Sequence, residues 1–264
     1  MLYIVPTPIG NLEDMTLRAI RVLKECDLIL CEDTRHASTL LKKYEIATKT
    51  LSFHSFSEAK REEEIVQKLQ NGEQIALISD AGTPLIQDPG TRLVARCHQE
   101  NISITALPGP CAIPTALSLS GLEATPFQFL GFVPKKTGEM KKLFAKAYCY
   151  PGLSLFYETP HHLKKALEAL PPEMEVAVCR ELTKKFEEFL FDRAKDLVAH
   201  FQNREPKGEM VLILKGEGQT KAFEDLSAEE LMEKLEQEFT LMRKEAIKVA
   251  AELKGISKKN LYKT

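Results

Sequence analysis

Four short loops carry most of the residues able to do chemistry, and each follows a run rich in Ile, Val and Leu. They read Pro6-Thr7-Pro8-Ile9-Gly10-Asn11-Leu12-Glu13-Asp14, Glu32-Asp33-Thr34-Arg35-His36, Asp80-Ala81-Gly82-Thr83-Pro84-Leu85-Ile86-Gln87-Asp88-Pro89-Gly90 and Pro108-Gly109-Pro110-Cys111-Ala112. Asp33, His36, His54 and Asp80 offer groups for acid–base work. The small residues leave backbone N–H and C=O groups open to a ligand. Turn formation alone explains any single loop of this composition. Four of them at successive strand ends point to a binding cleft, because open α/β sheets place ligands beyond the carboxyl ends of their strands.

The missing patterns narrow the ligand. No GxGxxG follows the first strand and there is no GxxxxGK[ST], which disfavours a dinucleotide fold and a P-loop. There is no HExxH and no Cys/His cluster, and His161-His162 are adjacent instead of one helical turn apart, so no metal is expected. A GxSxG nucleophile elbow is also absent. What remains is a small polar ligand (a ribose, an adenine edge or an amino-acid moiety) in an interdomain cleft.

Alternating strands and helices must hold these loops. Apolar runs at Leu2–Thr7, Leu28–Glu32, Ile75–Asp80 and Ile102–Leu107, with a weaker one at Leu51–His54, are expected as strands. Helical periodicity fills Thr16–Glu25, Thr34–Tyr44, Ser57–Asn71, Gly90–Glu100 and Cys111–Ser120. The alternation predicts a mainly parallel sheet covered on both faces over residues 1–118. Beyond Gly121–Pro126 the pattern changes to Phe127–Val133, Leu153–Glu158, Glu175–Leu182, Phe186–Asp192 and Met210–Lys215 as strands, two of them forming a hairpin around Lys184-Lys185. Helices are expected at Glu139–Ala147, Pro160–Leu170 and Arg193–Asn203. Residues 119–217 therefore form a second α/β domain with a mixed sheet. Residues 218–264 form a helical appendage of three short helices, Ser227–Glu238, Arg243–Lys254 and Ser257–Lys263.

Composition sets the class. The chain has 264 residues, 44% apolar and 28% charged, the balance of a soluble globular protein. No apolar run approaches the ~18 to 20 residues of a membrane span, and six scattered cysteines without CxxC read as free thiols in a reducing cytoplasm. The formal charge is only −2, so no global basic field announces nucleic acid. Its distribution is uneven: residues 240–264 hold seven Lys/Arg against two acids, and Lys135, Lys136, Lys141, Lys142 and Lys146 cluster after Pro134. Such runs arise as solvated helix faces, and two of them also make a local phosphate-binding surface worth testing.

The loops carry a resemblance. Val5-Pro6-Thr7-Pro8-Ile9-Gly10-Asn11-Leu12, Cys31-Glu32-Asp33-Thr34-Arg35, Ser79-Asp80-Ala81-Gly82-Thr83-Pro84 and Leu107-Pro108-Gly109-Pro110 occur in the order found in the ribosomal-RNA small-subunit methyltransferase I group of the tetrapyrrole-methylase superfamily. The likeness continues through Gly131-Phe132-Val133-Pro134-Lys135-Lys136, Phe156-Tyr157-Glu158-Thr159-Pro160-His161, Arg180-Glu181-Leu182-Thr183-Lys184-Lys185-Phe186-Glu187-Glu188 and Glu205-Pro206-Lys207-Gly208-Glu209. It implies the two-domain tetrapyrrole-methylase fold, S-adenosylmethionine as cofactor between the domains, a homodimer, and 2′-O-methylation of a cytidine ribose in the decoding centre of 16S rRNA in the small ribosomal subunit. By the same analogy the cofactor contacts fall on Ile9, Asp80, Ala81, Gly82, Thr83, Leu85, Cys111, Ala112, Tyr157, Glu158, Leu182, Glu209 and Met210. The catalytic assignment goes to Asp33, as base or hydroxyl-orienting group, and to Arg35, holding a substrate phosphate. A loop clamp or helix cap is the plainer role for that pair. Other readings of the chain are methylation of a tetrapyrrole or a modified protein side chain, or a non-catalytic RNA-binding module.

Overall fold

The computed structural model describes residues 1–202, 204, 206–218 and 225–261, apart from the side chains of 55–60 and 260. The chain resolves into two compact units, Met1–Thr115 and Ala116–Thr264.

In the first unit, β1 (Leu2–Ile4), β2 (Leu28–Cys31), β3 (Thr50–Ser52), β4 (Ile75–Leu77) and β5 (Ile104–Ala106) alternate with α1 (Leu17–Glu25), α2 (Thr34–Lys43), α3 (Ser55–Gln70) and α4 (Thr91–Gln99). The strands form one parallel sheet in the order β3-β2-β4-β1-β5. Successive side chains alternate between its faces. Val5, Ile29, Cys31, Ala76 and Ile78 pack with α1 and α2, whereas Leu2, Ile4, Leu30, Ile75 and Leu77 pack with α3 and α4. Both faces are covered, which is why the strands read as continuous apolar runs. Each fully buried Leu, Ile or Val contributes roughly 1.5–3 kcal/mol.

The strands stop short of the apolar runs that announce them. Val5 N still donates to Leu77 O at 2.9 Å, but Pro6 has no N–H to continue the ladder. Thr7 instead exchanges two backbone hydrogen bonds with Gly82, each 2.9 Å. The connection from β1 leads to one side of the sheet and that from β4 to the other, so the gap between these adjacent strands is the topological switch point.

Helix α5 (Ala112–Ser120) leads into the second unit. There β6 (Phe127–Phe132), β7 (Leu153–Glu158), β8 (Glu175–Arg180), β9 (Glu188–Arg193) and β10 (Met210–Lys215) form a mixed sheet in the order β6-β7-β10-β8-β9, parallel only between β6 and β7. The expected hairpin is β8–β9. Helices α6 (Thr137–Tyr148), α7 (Pro160–Glu168) and α8 (Ala194–His200) accompany the sheet, followed by α9 (Ala228–Phe239), α10 (Arg243–Leu253) and α11 (Lys258–Leu261). The last three were expected as an appendage. Their Leu231, Leu235, Phe239, Ile247, Val249 and Leu261 share one core with Met140, Phe144 and Leu163. Two buttressing ion pairs, Lys142–Glu245 and Lys146–Glu252, both 2.6 Å, join α6 to α10. Two of the five lysines in the Lys135–Lys146 cluster are thus neutralised inside the unit. Asn203, Glu205 and Lys263, named in the sequence expectations, lie outside the described residues.

No helix among the described residues is long and apolar enough to cross a membrane. No group of three His, Cys, Asp or Glu among them is placed to hold a metal ion.

Candidate active site

The loops after β1, β4 and β5 meet at the switch point. Beyond the Thr7–Gly82 bridge, the buried Thr7 hydroxyl donates to Ser79 O at 3.1 Å and Thr83 Oγ1 donates to Pro110 O at 2.9 Å. Gly82 has φ +78°, the left-handed region, and a Cβ there would lie 3.3 Å from Ile9 Cγ2. Gly109 approaches Pro6 so closely that a Cβ would come within 2.8 Å of the proline Cβ. Three chain segments are therefore locked together by one backbone bridge, the Thr83 hydroxyl and the close approach of Gly109 to the Pro6 ring, with Ala81 exposed beside them. The geometry brings together Ile9, Asp80, Ala81, Gly82 and Thr83, with Cys111 and Ala112 directly after Pro110. Leu85 is different: it is partly buried, with its side chain packed against the core that contains Leu77 and Leu93. The loop stores strain at Leu85 (φ 73°) and Gln87 (φ 70°), non-glycine positions that cost of order 1–3 kcal/mol each and cluster at functional sites.

Asp33 and Arg35 are bound to each other at the start of α2. Asp33 is the N-cap of α2: its Oδ1 accepts Arg35 N at 2.8 Å, and Arg35 Nε and Nη2 donate to its two oxygens at 3.1 and 2.6 Å. These hydrogen bonds hold the Asp33 carboxyl well below the usual carboxylate range. A carboxylate so reluctant to take a proton can orient a hydroxyl but is a poor base. Apart from these contacts with Asp33, the Arg35 side chain is exposed.

Beside them lies a carboxylate the loop motifs did not single out. Burial pushes Asp88 up to about 6, reinforced by the charges of Glu32 and Asp80 and opposed by a hydrogen bond from Ser79. Burial and Asp80 also raise Glu32. Asp80 reaches the Asp33 loop, its Oδ1 accepting Asp33 N at 3.3 Å. One sheet edge thus carries a carboxylate held ionised by its hydrogen bonds and another that burial raises to about 6. The sequence signal for Asp88 is only its place in the Pro/Gly-rich loop eight residues after Asp80; its burial is a tertiary property.

In the second unit the remaining expected residues collect at one edge of the mixed sheet. Met210 pairs in register with both Glu158 and Arg180, and Glu181 N donates to Glu209 O at 3.0 Å. Tyr157 stands against Phe129 and Phe132, with ring centroids 4.8 and 5.4 Å away. Leu182 is buried. Glu158 is buried and its side chain already engaged: Oε1 accepts Thr159 N at 2.6 Å, and Oε2 meets His162 Nδ1 at 2.8 Å. Only its backbone is left for a ligand. His162, to which sequence reasoning gave no role, has its Nε2 buried without a hydrogen-bond partner among the described residues.

Comparison with known proteins agrees with this architecture. Residues 1–198 match the family Tetrapyrrole (Corrin/Porphyrin) Methylases. The chain is 42% identical to Ribosomal RNA small subunit methyltransferase I of Vibrio cholerae serotype O1, covering 100% of this chain and 93% of that protein. It is also 42% identical to the Escherichia coli O157:H7 protein of the same name, covering 99% and 93%. The corresponding protein of Streptococcus pyogenes serotype M3 is 39% identical, with the same coverage. Among solved structures the fold is similar to a diphthine synthase (TM-score 0.65, 11% identity, 81% of this chain and 89% of that one). It is also similar to a cobalt precorrin-4 methyltransferase of cobalamin biosynthesis (TM-score 0.57, 17% identity, 83% and 95%). At such identities these two structures speak for the fold alone. The chain belongs to the tetrapyrrole methylase family and, within it, to the ribosomal RNA small subunit methyltransferase I group.

Proposed function

We propose that the protein transfers a methyl group from S-adenosylmethionine to the 2′-hydroxyl of a cytidine ribose in the decoding centre of 16S rRNA, acting on the small ribosomal subunit in the cytoplasm as a homodimer. The observation that carries the reading is the backbone-locked set of small-residue loops at the switch point, in a chain that matches rRNA methyltransferases along nearly its full length. The residues present fit the cofactor: a Cβ at Gly82 would fill the space beside Ile9, and Ala81 and Thr83 flank it with little bulk. Ile9, Asp80, Ala81, Gly82, Thr83, Cys111 and Ala112, with the backbone of Leu85, are assigned to cofactor binding. The family resemblance adds Tyr157, Glu158, Leu182, Glu209 and Met210.

When bound, S-adenosylmethionine supplies an electrophilic methyl on a sulfonium, so the reaction needs no metal. The residues of this chain align the acceptor, exclude water and manage its proton. Alignment alone supplies ~7–11 kcal/mol of such a barrier. Asp33, fixed as a helix cap and permanently ionised near neutral pH, orients the ribose hydroxyl, and Arg35 holds a neighbouring phosphate. The proton goes to a carboxylate oxygen of Asp88, the group on this edge whose affinity for a proton suits neutral pH.

The test offers methyl-labelled S-adenosylmethionine with three acceptors: small ribosomal subunits, naked 16S rRNA and a porphyrin precursor. Label in RNA from the first or second supports the reading, and label in the porphyrin contradicts it. Sedimentation at micromolar protein giving the monomer mass, with full activity, would contradict the homodimer.

A further inference from the structure

The hairpin turn between β8 and β9 is cross-linked more heavily than a loop of its length needs, and at its tip it displays an aromatic ring. Phe186 is 66% exposed. The residues around it are fixed: Lys184 Nζ donates to Glu181 Oε1 at 2.7 Å and to Glu209 Oε2 at 3.1 Å. Thr183 N donates to Glu187 Oε2 at 2.6 Å, and Lys184 N and Glu187 N close two turns through Glu181 O and Lys184 O, each at 3.0 Å. Below them, Arg180 Nε donates to Glu188 Oε2 at 2.8 Å while Arg204 takes the other Glu188 oxygen at 2.9 Å. Glu181 and Thr183 hold left-handed φ values of 53° and 65°, unusual for side-chain-bearing residues. The acids of the turn are answered within it. Lys185 is not drawn into that network; its Nζ stands 5.7 Å from the centroid of the Phe186 ring.

We infer that Phe186 is a stacking platform for an unpaired nucleobase of the RNA substrate, with Lys185 placed for the adjacent phosphate; this rests on the RNA reading above. An exposed aromatic on a pre-ordered turn loses little entropy when a base is laid on it, and every base has a π-face to offer. Sequence-specific RNA recognition targets unstacked bases in this way, pairing aromatic rings with nearby cations. A protein partner is disfavoured by the company of the ring: charged Lys184, Lys185 and Glu187 surround it, and interfaces need a contiguous apolar patch.

The chain contains six tyrosines and no tryptophan, so Phe186→Trp introduces a single indole at the tip that can be excited selectively, to the red of tyrosine absorption. Titration of this variant with a 16S rRNA transcript is expected to quench its emission by at least half, at the concentration where filter binding shows the complex. Phe186→Ala is expected to bind the transcript about 10-fold more weakly, with unchanged S-adenosylmethionine affinity, and Phe186→Tyr to restore binding. Full RNA binding by Phe186→Trp without quenching overturns the inference. So does a Phe186→Ala protein that keeps its RNA affinity but loses self-association by sedimentation, which would make the ring a protein contact. If the wild type binds neither the transcript nor small ribosomal subunits, the RNA reading itself falls, and the stacking role with it.

Discussion

The strand-end loops of the first unit and the β8–β9 turn of the second are both rigid, for opposite reasons. The loops are locked at their backbones by short contacts: the Thr7–Gly82 bridge, the Thr83 hydroxyl on the Pro110 carbonyl, and the Gly109 backbone against the Pro6 ring. Little side-chain mass is involved, which leaves amide and carbonyl groups and a few carboxylates to face a ligand. The turn is locked through its side chains, by Lys184, Arg180, Arg204 and their glutamates. That arrangement leaves a ring and an ammonium group at the tip. The first suits a small ligand that must be approached closely, and the second suits a large, flexible, anionic one.

The largest expected effect falls on the proton acceptor. Asp88→Asn should lower single-turnover methyl transfer by about 10²–10⁴ with small change in cofactor affinity. In the wild type kcat/KM should rise with pH through about 6, as Asp88 ionises, and the limb should vanish in the variant. An unchanged profile would return Asp88 to a structural role. Asp33→Asn comes next. Asparagine still caps a helix, so the fold is expected to hold, while transfer slows by about 10²; near wild-type turnover would leave Asp33 as a cap alone. Gly82→Ala should weaken cofactor binding by at least 10-fold in calorimetry, because the left-handed backbone and the Ile9 contact both resist a Cβ.

Smaller effects belong to the second unit and to stability. Lys248, Lys258 and Lys259 are exposed on α10 and α11. Replacing all three with Ala should reduce the salt slope of rRNA binding by about 2–3 if they meet phosphates, and an unaltered slope would make these helices a brace only. Least of all, Asp88→Asn should raise stability at pH 7.5 by about 1 kcal/mol, the full shift being discounted for a half-buried group. The sign follows from the raised value: folding favours protonated Asp88, a contribution fully present below pH ~4 and lost as pH rises to about 6. At pH 4 the variant should show no such gain in urea unfolding.

Much of this contrast was readable from residue order. Continuous apolar runs announced a sheet covered on both faces, and the Pro/Gly loops announced its ligand edge. The ends of the runs misled, because Pro6 withholds the N–H that would extend β1, and because Phe186, counted as strand, belongs to the turn. Glu158 has the chemistry of a ligand contact, yet its oxygens answer Thr159 and His162. Asp88 and the α6–α10 ion pairs were invisible for the same reason: burial and pairing across the fold are set by packing, not by neighbours in sequence. The charge asymmetry of the last 25 residues was legible, but not that Glu245 and Glu252 answer Lys142 and Lys146.

The central claim is a division of labour between the two rigid regions, and crossed binding measurements test it most directly. Dissociation constants for S-adenosylmethionine and for the 16S rRNA transcript would be measured side by side for Gly82→Ala and Phe186→Ala. The predicted result is a double dissociation: Gly82→Ala loses at least 10-fold in cofactor affinity and keeps rRNA affinity within about 2-fold, and Phe186→Ala does the reverse. Two variants that weaken both ligands alike, or neither, would contradict it.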